Sequence, residues 1–101
     1  VILDPPAFTK TRSAVEGALR GYKEINLRGM KLTRDGGFFI TCSCSQHVTP
    51  DLFRGMLLEA QKDAHVQLRQ IEWRTQGRDH PILLASPETQ YLKCGIFQVF
   101  K

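Results

Sequence analysis

At 101 residues, 42% of them hydrophobic and 24% charged, the chain has the length of one small domain, near the lower end of what buries a self-sufficient core. Its three cysteines, an odd number, do not make a disulfide framework, and no apolar run approaches the ~18 residues of a membrane-spanning helix. The formal charge of +4 sits in the first third, where residues 1–34 hold seven Lys and Arg against three acids while the remainder holds seven of each sign. A basic segment of this kind suits a polyanionic partner such as RNA, although on charge alone a solvated helix face is the simpler account.

The chain opens on Val1-Ile2-Leu3, which reads as the end of a buried parallel strand. Pro5 and Pro6 lack the backbone N–H needed to continue a ladder, and Pro5 holds Asp4 extended. Asp4 is therefore expected at the carboxyl end of a strand, where open α/β sheets place their ligands. A Pro-fixed loop would carry Phe8 and Lys10 past the same edge. Beginning inside an apolar strand, with no initiator Met and no secretory signal, the sequence is expected to be a piece of a longer cytoplasmic protein.

Ser13-Ala14-Val15-Glu16 has the form of a capping box. Val15, Ala18, Tyr22, Ile25 and Gly29 follow at steps of three and four, predicting an amphipathic helix to about Arg34 that Asp35-Gly36-Gly37 ends. A strand over 38–42 leads into Cys42-Ser43-Cys44-Ser45; Cys42 and Cys44 share a face if that strand stays regular. Thr49-Pro50-Asp51 then starts a second helix, whose buried side is Leu52, Phe53, Met56, Leu57, Ala60 and Ala64. Val66-Gln67-Leu68 and Ile71-Glu72-Trp73 alternate in different phases, so a bulge is expected near Arg69-Gln70. A loop from Thr75 to Glu88 and a final strand from Tyr91 to Phe100 complete the chain. His47, His65 and His80 show no spacing that would complete a zinc site with the cysteines, so no metal is expected.

The order β-α-β-α-β-β predicts two right-handed crossovers between parallel neighbours and an antiparallel closing pair. That is an α/β fold, the second half of a doubly wound sheet ending in a reversed strand. It resembles the C-terminal half of the Rossmann-like class I S-adenosylmethionine-dependent methyltransferase fold. Asp4-Pro5-Pro6-Ala7-Phe8, the 20–26 segment RGYKEIN, Thr41-Cys42-Ser43-Cys44-Ser45, Asp79-His80-Pro81 and the 87–93 segment PETQYLK are spaced as in one family. It is the bacterial and archaeal family of 23S rRNA cytosine-C5 methyltransferases that carry an N-terminal PUA domain. The resemblance runs over essentially the whole chain.

By that resemblance, residues 1–101 are the C-terminal portion of a methyltransferase domain beginning at its fourth strand. The PUA domain and most of the cofactor site would lie upstream. No two glycines here are separated by a single residue, so the Gly-rich cofactor loop is not in this sequence. The isolated chain is expected to be inactive and, lacking its sheet partner, to self-associate, most simply as a homodimer. The resemblance implies S-adenosylmethionine as cofactor, touched marginally by Asp4 and Pro5, and ribosomal RNA as partner. It makes Cys44, in its Ser-Cys-Ser setting, the nucleophile that adds to cytosine C6, and Asp4 the partner of the base edge. Pro5, Pro6, Phe8, Lys10, Tyr22, Ser43, Ser45 and His80 are candidates for substrate contact, with Lys10 also a candidate to favour the thiolate. Cys42 and Cys94 read as small core residues. Two alternatives stay open. Asp-Pro-Pro before an aromatic is similar to the segment with which amino-methyltransferases grip adenine or guanine, and a non-catalytic RNA-binding module would use its cysteines only as core.

Overall fold

A computed structural model describes residues 1–5, 14–45, 47–76, 82–84 and 92–101. Six elements follow in order: β1 (Ile2–Leu3), α1 (Val15–Leu32), β2 (Phe38–Ser43), α2 (Pro50–Ala64), β3 (Gln67–Arg74) and β4 (Lys93–Phe100). The sheet order is β1-β2-β4-β3. β1 lies parallel to β2, and β4 runs antiparallel to both of its neighbours. The predicted parallel neighbours are thus found for β1 and β2. β3 also points the same way as β2, but β4 inserts between them, a pairing that no local sequence pattern encodes.

α1 begins after Ala14, with Glu16 in its first turn complementing the helix dipole; Ser13, the expected cap, lies outside the described residues. Its C-terminus is closed by Thr33 rather than by the glycines. The Thr33 N–H and hydroxyl both donate to the Gly29 carbonyl, at 3.0 and 2.8 Å. Gly36, at φ +79°, then makes the turn into β2, a conformation open to glycine without a Cβ penalty. α2 starts as predicted, with Thr49 Oγ1 accepting from the Leu52 N–H and Pro50 opening the helix. It ends on His65 in the left-handed conformation, φ 57°.

Both helices cover one face of the sheet. Tyr22, Met30, Phe53, Met56, Leu57 and Ala60 from the helices meet Phe39, Phe97 and Val99 from the strands, all buried. Tyr22 and Phe53 pack edge to face at 6.0 Å, and the Arg54 guanidinium lies 4.0 Å over the Trp73 ring. Leu52, expected in this core, is 40% exposed. The β3 irregularity falls between Gln70 and Glu72, leaving Ile71 out of the ladder and 51% exposed. On the opposite face of the sheet Ile2 is 71% and Phe38 56% exposed.

Candidate functional site: the rim of β1 and β2

The parallel register sets Ile2 beside Ile40 and Leu3 beside Thr41. The chain therefore leaves both strands at the same edge, β1 into Asp4-Pro5 and β2 into Cys44-Ser45. Asp4 and Cys44 are exposed there and Pro5 is half-buried. Because β2 ends at Ser43, Cys44 lies past the last paired residue and strand alternation no longer fixes its direction.

Cys42 occupies a different setting. It is half-buried directly across from Cys94 on β4, with the sulfurs 2.8 Å apart. Burial, the neighbouring Cys94 thiol and the negative charge of Asp4 push the Cys42 thiol up to about 12, so it stays protonated at neutral pH.

A buried polar stack supports the turn that presents Cys44. Ser43 Oγ donates to Tyr22 Oη at 2.9 Å, and the Ser45 N–H reaches back to Ser43 Oγ at 3.4 Å. Below them, Asn26 accepts from the Thr41 hydroxyl and donates from Nδ2 to the Tyr22 carbonyl at 2.7 Å. Tyr22, Ser43 and Ser45 are thus buried within the fold. The side chains of Tyr22 and Ser43 and the backbone of Ser45 brace the turn from within. Pro6, Phe8, Lys10 and His80 lie outside the described residues.

The lysine that the structure does bring to this turn is Lys93, which sequence reasoning noted only as part of a motif. It stands opposite Ser43 at the start of β4, fully buried, and Nζ donates to the Ser45 carbonyl at 2.5 Å. Burial lowers its pKa to about 8, and the charge of Cys44 works in the opposite direction. The signal was present in the alternation Lys93, Gly95, Phe97, Val99, which puts a lysine on the inward face of an apolar strand. Among the described residues no group of three or more His, Cys, Asp or Glu could hold a metal ion, and no helix is long and apolar enough to cross a membrane.

Comparison with known proteins finds likenesses to methyltransferases. No family model matches the chain. It is 41% identical, over 98% of its length, to the "Putative ribosomal RNA large subunit methyltransferase MJ1649" of Methanocaldococcus jannaschii. It is 44% identical, over 99% of its length, to the ribosomal RNA large subunit methyltransferase I of Shewanella frigidimarina. The chain spans 25% of each of these relatives. Among solved structures it superposes on "a putative methyltransferase complexed with SAH" with a TM-score of 0.79, at 16% identity, covering 96% of this chain and 25% of that one. A second, "a putative sam-dependent methyltransferase from Streptococcus mutans", gives a TM-score of 0.71 at 12% identity, covering 79% of this chain and 21% of that one. The fold is half of a Rossmann-like methyltransferase fold, with its closing strand reversed.

Proposed function

We propose that this chain is the base-modifying part of a cytoplasmic S-adenosylmethionine-dependent methyltransferase acting on cytosine C5 of large-subunit ribosomal RNA. The observation that carries the reading is the rim itself: an exposed thiol at Cys44 and an exposed carboxylate at Asp4, on neighbouring parallel strands. The likeness to ribosomal RNA large subunit methyltransferases over nearly the whole chain supports the substrate class.

Cytosine C5 is a poor nucleophile until the ring's conjugation is broken. The Cys44 thiolate adds to C6, which makes C5 enamine-like and able to accept a methyl cation equivalent. A base then removes the C5 proton, and the thiolate leaves C6 to restore the ring. Asp4 holds the N3/N4 edge of the pyrimidine through this sequence. S-adenosylmethionine would supply the methyl group. Of the described residues, Asp4 and Pro5 stand at the sheet edge where such a ligand fits. The Gly-rich loop that would cradle it is not within this sequence, so the isolated chain is inactive on this reading.

The test uses the full-length parent protein and RNA carrying 5-fluorocytidine at the target position, where fluorine blocks proton removal and the adduct persists. Wild-type protein is expected to form a denaturation-resistant RNA adduct that Cys44→Ser abolishes and Cys42→Ser retains. Trapping that survives Cys44→Ser and disappears in Cys42→Ser would move the nucleophile to Cys42. Full methylation by Cys44→Ala would instead favour an amino-methyltransferase.

A further inference from the structure

Lys93 has a place in the rim that packing alone does not explain. It is fully buried at the helix-facing side of β4, the side it shares with Gly95, Phe97 and Val99. An ammonium is a costly group to put there. Its Nζ is held by the carbonyl of Ser45, the residue directly after Cys44. The same turn is fixed from below by Ser43 and the Tyr22 hydroxyl of α1. The lysine head group is thus fixed at the carbonyl of the residue that follows Cys44, the one exposed cysteine of the three.

We infer that Lys93 is a positioning residue for Cys44: its ammonium fixes the Ser45 carbonyl so that the turn projects Cys44 outward, and its charge favours the Cys44 thiolate. The physical basis is reciprocal. A thiolate and an ammonium each favour the charged form of the other, and the effect is larger beside a low-dielectric core than in water. The charge of Cys44 acts on the Lys93 ammonium in this sense, favouring its protonated form. The Tyr22 hydroxyl reaches the same cluster through Ser43. Cys42 and Cys94 face the opposite side of the sheet, where the negative charge of Asp4 helps to raise the Cys42 thiol.

This inference rests on the reading of Cys44 as nucleophile, but its test does not need RNA or methyl transfer. Cys44 alkylation by iodoacetamide is followed by peptide-resolved mass spectrometry across pH, in wild type, Lys93→Met, Lys93→Gln and Lys93→Arg. Lys93→Gln keeps a donor for the Ser45 carbonyl and removes the charge, so it separates the two parts of the role. Circular dichroism confirms that each variant is folded. At pH 7 Lys93→Gln and Lys93→Met are expected to slow Cys44 alkylation on the order of tenfold, the size of a one-unit change in thiolate stability, while Lys93→Arg stays near wild type. The difference should fade as pH rises through about 8, where Lys93 itself loses its proton. A change in mere access to Cys44 would persist at every pH. Wild-type rates in folded Lys93→Gln at pH 7, or a slowing that does not fade at high pH, would overturn the inference. Loss of the 5-fluorocytidine adduct with the alkylation pattern intact would instead count against the cytosine reading alone.

Discussion

Burial disfavours the charged form of both Lys93 and Cys42, and so moves their pKa values in opposite directions. Burial lowers Lys93 to about 8 from 10.5, so between those values the folded state binds fewer protons than the unfolded chain. Stability from this group therefore rises with pH across that window, and below about 8 the full cost of the buried ammonium is present. Cys42 acts the other way: raised to about 12 from 9.0, it contributes stability that is lost as pH climbs from 9 toward 12. The windows overlap, so wild type alone cannot separate them. Comparing wild type with Lys93→Met cancels the cysteine. The stability difference between the two is expected to shift in favour of wild type by about 3 kcal/mol from pH 7 to pH 10.5, at roughly 1.4 kcal/mol per unit. Denaturant titration at a series of pH values measures it, and a difference that stays flat would show that the fold leaves the Lys93 pKa at its unfolded value. A residue that destabilises its own domain at working pH fits a role in chemistry rather than in packing. The alternation along β4 marks residue 93 as inward-facing, but its partner could not be read in sequence, because its environment is made by a turn some fifty positions away.

Among elements, the helix starts were legible where their chemistry is local. Thr49-Pro50-Asp51 specified the first turn of α2 because the capping oxygen, the missing N–H and the acid all act within four residues. The end of α1 was read less well, since Thr33 closes it through side-chain and backbone bonds to Gly29 and threonine carries no strong stop signal. Gly29 has a second task there. A Cβ on it would lie 2.6 Å from Cε1 of buried Phe39 and 2.9 Å from Cδ1 of Leu3, so α1 approaches β1 and β2 more closely than any larger residue allows. Gly29→Ala would gain roughly 1 kcal/mol in helix propensity against about 1–3 kcal/mol of overpacking; a net loss is expected. Gly55, exposed in α2 with nothing within 4 Å of its added Cβ, lacks the opposing term, and Gly55→Ala should gain about 0.5–1 kcal/mol. Urea denaturation of the two variants should move the midpoint in opposite directions. A stabilised Gly29→Ala would mean that Phe39 and Leu3 yield easily and that the close approach is incidental.

For the whole molecule, the same sheet is finished on one side and open on the other. α1 and α2 cover one face, while the other presents Ile2, Phe38 and Phe100 with substantial exposure and half-buried Ile40 and Ile96 between them. The sequence showed that β1 was apolar and adjacent to a parallel strand. It did not show that the reversed β4 would sit in the middle of the sheet, leaving β1 and β3 as its edges. β1 hydrogen-bonds to β2 on one side, and among the described residues its other side is an unpaired edge bordering the open apolar face. Such an edge is a template for another strand, and a contiguous apolar patch beside it favours burial against a like surface. Two copies of the isolated chain related by a two-fold axis can satisfy both needs with one self-complementary contact. We therefore expect the isolated chain to be dimeric or larger at micromolar concentration, as measured by light scattering and sedimentation equilibrium. A charge placed in the patch separates this from nonspecific aggregation: Phe38→Lys should shift the equilibrium toward monomer, because pairing would then bury an uncompensated ammonium at each copy. Arg20→Glu, on the exposed side of α1, should leave it unchanged. A wild-type chain that remains monomeric into the high micromolar range would refute the self-association, and equal sensitivity to both substitutions would place the contact elsewhere than on the open face.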